Sequence, residues 1–169
     1  MQKTILKYGM YSLLMASGIF LIALLVGKNL DYSVQEVIGY VSMALSLIFV
    51  FFGIRHYRDH ENEGTISFGK ALLIGLLISL FAGLGFGIID YIYTTAINPD
   101  FALEYETKML ADMKANLSPA EYEEQSKVLK EQMAQYSGSG FMAFIMFVTV
   151  VIMGFVISLI SSLILQRKS

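Results

Sequence analysis

The chain has 169 residues, one ordinary domain's worth, and its 12 Lys+Arg against 14 Asp+Glu leave a net charge of −2. It is 56% hydrophobic and 15% charged, with mean hydropathy +0.61, where soluble domains run at roughly 45–50% and about 25%. This excludes a soluble globular domain, a disordered chain, a disulfide scaffold and a basic nucleic-acid-binding face, and it places the surplus apolar residues in lipid.

The first predicted span is 8–27, the 20 uncharged residues between Lys7 and Lys28. Lys3 and Lys7 imitate the start of a signal peptide. The apolar run is too long for one, and VGKNLDY holds no small-x-small cleavage site, so the span is read as uncleaved. The second span, 37–54, is the charge-free stretch between Glu36 and Arg55. A polar loop follows at 55–70, and the third span is 71–93. Each window is close to the roughly 20 residues that carry a helix across a bilayer core of about 30 Å. Runs such as LIALLV and FIMFVTVVIMGFVISLI are apolar all round, whereas barrel strands would alternate, so helices are expected.

Residues 98–140 are too many for a simple connection. Asn98-Pro99-Asp100 reads as a helix start, and Phe101, Tyr105, Met109, Met113 and Leu117 recur every four residues. Ser118-Pro119-Ala120-Glu121 is a second start, with Ser as N-cap, Pro at the first helical position and Glu completing a capping box. Tyr122, Leu129, Met133 and Tyr136 form the next apolar face. Glu104 with Lys108, and Glu123 with Lys127, are i,i+4 pairs in the favourable order. Ser137-Gly138-Ser139-Gly140 ends the helix, and the fourth span is 141–165. The fold class is an all-α membrane protein, with four transmembrane helices and an extramembrane helical hairpin between the third and fourth.

Orientation follows from basic residues. Residues 1–7, 55–70 and 166–169 carry seven of them, Lys3, Lys7, Arg55, Arg58, Lys70, Arg167 and Lys168. The longer opposite segments, 28–36 and 90–140, carry five, Lys28, Lys108, Lys114, Lys127 and Lys130. Both termini are therefore expected on the cytoplasmic side. Trp is absent, so Tyr8, Tyr11, Tyr40, Tyr57, Tyr91 and Tyr93 near the span ends are the interfacial aromatics.

Ala71, Gly75, Ser79, Gly83 and Gly87 stand four apart along the third span, and Gly154, Ser158 and Ser162 repeat the spacing in the fourth. Small residues at this interval let helix backbones approach closely. Packing within the bundle is the preferred reading, with a homodimer seam as the alternative.

Together MQKTILKYG, NLDYSVQEVIGYVSM, FVFFGIRHYRD, ISFGKALLIGLLISL, INPDF and FVISLISSLILQRK resemble the domain of unknown function 4199 family across essentially the whole chain. The resemblance implies a four-span protein of the bacterial inner membrane in Bacteroidota. It implies no activity, and no catalytic residue can be carried over.

The loop after the second span is the richest in polar groups. If that helix continues, His56, Asp59, His60 and Glu63 share one face at a spacing that suits a divalent metal. The plainer reading, which we prefer, is a solvated helix end whose Arg55 and Arg58 anchor to anionic lipid. No phosphate-binding loop is present, and Gly83-Leu84-Gly85-Phe86-Gly87 lies mid-span. The spans contain serines but no histidine to act as a base, and zero Cys removes thiol chemistry. No catalytic, cofactor-binding or established metal site is expected, so an enzyme working at the cytoplasmic loop is the weakest class. The preferred class is a structural or interaction protein using the hairpin, with the lipid bilayer and a protein partner or second copy as its partners. A small transporter or channel, with Asp90 as its ionisable site, is the alternative.

Overall fold

The structure, a computed structural model, describes residues 1–27, 30 and 32–167; Lys28 and Lys168, which enter the count of basic residues, lie outside them. The described chain is helical throughout, with no strand and a single antiparallel bridge between Ile66 and Arg167. In order come α1 (Gln2–Gly27), α2 (Tyr32–Ser46), α3 (Ile48–His56) and a π-helical turn (Tyr57–Glu61). Then follow α4 (Phe68–Ile92), a second π-helical turn (Tyr93–Ile97), α5 (Phe101–Asn116), α6 (Pro119–Tyr136) and α7 (Ser139–Leu165). Among the described residues four helical stretches are long and apolar enough to cross a membrane: Gln2–Gly27, Val34–Glu61, Phe68–Ile97 and Ser139–Leu165. The chain is an all-helical membrane protein.

Two compact units divide it, Met1–Ile89 with Ile145–Ser169, and Asp90–Phe144. In the first, α4 is the most buried of the four stretches and meets its neighbours through residues with little or no side chain. A Cβ on Gly75 would lie 2.5 Å from Ser158 Oγ of α7, and one on Gly154 would collide with Ser79. Gly83 faces Phe147 and Val151 of the same helix. A second side of α4 meets α1, where a Cβ on Gly85 would stand 2.8 Å from the Leu13 carbonyl oxygen. Near that contact the Phe20 and Phe86 rings pack 4.7 Å apart. On a third side Ile78 fills the space above Gly53 of α3. The small residues thus serve contacts inside one chain. Ala71, Ser162 and Gly87, also on the small-residue spacing, are buried as well.

The second spanning stretch is not a continuous α-helix. Leu47 interrupts it, and the Val50 N–H donates to the Leu47 carbonyl at 3.0 Å. That leaves the Ser46 carbonyl without its usual helical donor. Ser12 of α1 supplies one, its hydroxyl donating to Ser46 O at 2.7 Å in a fully buried setting. The Ser46 hydroxyl turns back on Met43 O at 2.8 Å. A break in a spanning helix is tolerated in lipid where the freed carbonyl finds another partner.

The second unit contains the antiparallel pair α5 and α6, joined by Leu117 and Ser118. Asp100 precedes α5 without a side-chain cap, and the Asn98 amide donates to Glu104 Oε2 at 2.8 Å. At α6 both halves of the capping box are present: Ser118 N–H donates to Glu121 Oε2 at 3.0 Å, and Glu121 N–H donates to Ser118 Oγ at 3.5 Å. The Ser118 hydroxyl also donates to Glu121 Oε2 at 2.6 Å, and this bond with the backbone one holds the Glu121 carboxyl below its ordinary range. Only Ser137 and Gly138 separate α6 from α7, so the break is shorter than its four-residue sequence signal.

Two measurements check this packing. Gly75→Leu forces the seam between α4 and α7 apart and should destabilise the detergent-solubilised protein by about 1–3 kcal/mol. Leu73→Ala, at an exposed position on the same helix, should change its thermal unfolding far less. Ser12→Ala leaves the Ser46 carbonyl orphaned and should cost about 1 kcal/mol. Ser17→Ala on the same helix is the comparison, and equal losses would refute the special role of Ser12.

Candidate functional site

Polar side chains gather where α1 begins, α3 ends, α4 begins and α7 ends. Past His56 the backbone widens into the π-helical turn, which stops at Glu61. Glu63 and Gly64 then turn the chain with φ of 52° and 78°. Glycine adopts that backbone freely, whereas Glu63 does so at a cost. Asn62 secures the turn, its amide donating to Thr65 O at 2.6 Å.

This end is laced to the start of α1 and the end of α7. The amino group of Met1 forms an ion pair with Glu61, and the Thr4 hydroxyl donates to the same carboxylate. Arg58 is 7% exposed. Its Nε and Nη2 grip both oxygens of Asp59 at 2.6 and 3.0 Å, and Nη1 donates to Leu165 O at 3.3 Å. That carbonyl belongs to the last turn of α7, where helical donors run out and a cation is favourable. Beyond it Ile66 and Arg167 exchange two backbone hydrogen bonds of 3.0 and 2.9 Å.

The four residues with metal-ligand spacing do not share a helical face. His56 and His60 do come together, their rings stacked 4.6 Å apart. The carboxylate of Asp59 is taken up by Arg58, with Arg55 Nε 3.6 Å away. Glu63 leaves the helix altogether, because the π-helical turn ends two residues before it. Among the described residues no group of three His, Asp or Glu stands close enough to hold a metal ion.

Asp90 is 6% exposed, and its Oδ2 has no hydrogen-bond partner. One turn on, the Thr94 hydroxyl donates to the Asp90 backbone carbonyl at 2.9 Å and not to Oδ2. The span serines behave as hydrogen-bonding residues of helices: Ser79, Ser158 and Ser162 donate to carbonyls four residues back, at 2.9, 2.6 and 2.6 Å.

Two of the six tyrosines expected at the interface are buried instead, Tyr57 and Tyr93, each the first residue of a π-helical turn. Tyr57 lies under the Lys70 ammonium, 5.3 Å from its ring centre. Tyr93 meets Phe101 edge to face at 5.8 Å. Sequence reasoning also missed the ties made by Met1, Thr4, Glu61 and Ile66. None carries a local signal, since each depends on a partner some 57 to 101 residues away.

Neither a curated protein nor a solved structure matches the chain. A family model, described as a protein of unknown function (DUF4199), matches residues 7–167. With nearly its whole length covered, the chain belongs to the DUF4199 family.

Proposed function

We propose that the chain is a structural or interaction protein of the bacterial inner membrane, and that the α5–α6 hairpin is its working surface. In this reading both termini are cytoplasmic and the hairpin lies in the periplasm, in keeping with the excess of Lys and Arg on the terminal side. The observation that carries it is that neither α5 nor α6 has a single buried residue. Phe101, Tyr105, Met109, Met113, Tyr122, Leu129 and Met133 are all only half-buried. Two helices pressed together cover one side of such stripes and leave the rest uncovered. Leu103 and Val128 are outright exposed, at 64% and 48%. Met adapts to varied partners, and a connection between antiparallel helices needs only about 2–8 residues.

The test replaces residues 103–133 with a short Gly/Ser linker and compares crosslinked, affinity-purified complexes from native membranes. The shortened protein is expected to insert and stay folded but to lose its crosslinked partner or its self-association. Unchanged crosslinking would end the proposal, and loss of folding would make the hairpin a structural part of the bundle.

One observation favours a second reading, a small transporter or channel with Asp90 at its ionisable site. Among the described residues, Asp90 Oδ2 is the buried side-chain oxygen without a partner. A carboxylate in an apolar helix is costly and is usually kept for a purpose. Proton- or cation-driven flux in proteoliposomes should then be lost in Asp90→Asn. Flux that survives the substitution, or no flux in the unmodified protein, removes this reading.

A further inference from the structure

The membrane-spanning helices carry a second feature, independent of the hairpin. An open cleft of about 250 Å³ lies between α1 and the end of α3, lined by Tyr8, Phe52, Arg55, His56, Asp59 and His60. Its two halves differ in chemistry. Phe52 is 42% exposed and belongs to the apolar stretch of the spanning helix, and Tyr8 supplies a second ring. One turn beyond Phe52 come Arg55 and His56, and a turn further on His60, whose ring stacks on that of His56. The cleft therefore sits where apolar helix gives way to charge, the depth at which phospholipid headgroups lie.

Its charge is cationic once the ion pairs are assigned. Asp59 is the acidic residue of the lining, and Arg58 already holds both of its oxygens from the side. Arg55 reaches Asp59 only through Nε at 3.6 Å, too long for a hydrogen bond, and its side chain is 56% exposed. Its planar fork of N–H donors is left for a ligand, and such a fork matches two oxygens of a phosphate. His60 places Nδ1 3.3 Å from the His56 carbonyl, which fixes its ring beside that of His56. His56 in turn packs 5.4 Å from Tyr8. The Lys7 ammonium lies over the Tyr8 ring, 5.7 Å from its centre.

A phosphate group with an apolar attachment fits both halves of this cleft. We propose that the cleft between α1 and α3 seats the phosphate of an anionic phospholipid headgroup, with Arg55 as its main anchor and Phe52 and Tyr8 against the lipid's apolar part. A basic pocket between spanning helices is the recurring form of such sites. Free inorganic phosphate shares the polar chemistry but has nothing to set against Phe52.

The test uses the full chain in neutral detergent, washed free of lipid. Thermal unfolding is followed with added phosphatidylglycerol, phosphatidylcholine or inorganic phosphate, and native mass spectrometry counts retained lipids. Phosphatidylglycerol should raise the melting temperature and remain bound where phosphatidylcholine does not. Arg55→Gln should weaken that binding by about tenfold or more, while Lys130→Gln, an equal loss of charge on α6, should not. Melting without lipid checks that Arg55→Gln is folded, which its exposure leads us to expect. If it is not, Arg55→Lys keeps the charge, loses the fork, and should still retain less lipid by mass spectrometry. Equal stabilisation by both lipids, or binding indifferent to every Arg55 variant, would overturn the proposal. A full effect from inorganic phosphate alone would overturn the lipid assignment and leave a free-phosphate site.

Discussion

Close approach to α4 is the constraint on which the rest of the membrane-spanning unit depends. In lipid no hydrophobic force draws apolar helices together, so dispersion across a tight seam has to do it. Contact on this scale requires missing side chains, and α4 supplies them on two of its sides, with Gly75, Ser79 and Gly83 toward α7 and Gly85 toward α1. On the third side the partner gives way, Gly53 of α3 receiving Ile78. A single bulky residue at such a point moves a whole helix.

The second requirement is that carbonyls freed where the helices depart from α geometry find a donor. At Ser46 the departure is offset by a hydroxyl from another helix. At Tyr57–Glu61 and Tyr93–Ile97 it takes the form of π-helical turns, each followed by a residue with extended φ, Asn62 at −140° and Asn98 at −137°. In both cases a neighbouring asparagine amide donates close by, Asn62 to Thr65 and Asn98 to Glu104. Asn serves well here because one side chain both donates and accepts.

How much of this was legible in the sequence depends on the range of the interaction. Four apolar stretches follow from composition and window length alone. The start of α6 follows from four consecutive residues, because a capping box is a contact between Ser118 and Glu121 that needs nothing else. The small-residue spacing marked the face of α4 that meets α7, but not that Gly85, off that spacing, serves α1 equally. The expected alignment of His56, Asp59, His60 and Glu63 assumed 3.6 residues per turn throughout. A π-helical turn changes the count, and periodicity carries no warning of it. Arg58 read as a lipid anchor because its partner, the Leu165 carbonyl, lies 107 residues away.

Backbone irregularity and unusual polar chemistry coincide in this protein. The two π-helical turns stand beside its most demanding polar groups, the nearly buried Arg58 in one and the unpartnered Asp90 just before the other. Such turns cost stability relative to a regular helix and recur at functional positions. Arg58 shows one return on that cost: its guanidinium binds Asp59 and the end of α7 together, and with Asp59 so held Arg55 meets it only through Nε at 3.6 Å. Asp90 shows no such return inside the described chain, where its buried Oδ2 has no hydrogen-bond partner. A buried group that the fold does not satisfy is a net loss unless something outside the fold satisfies it. That asymmetry separates the two: Arg58 is explained by the architecture, whereas no contact in the described chain accounts for Asp90 Oδ2.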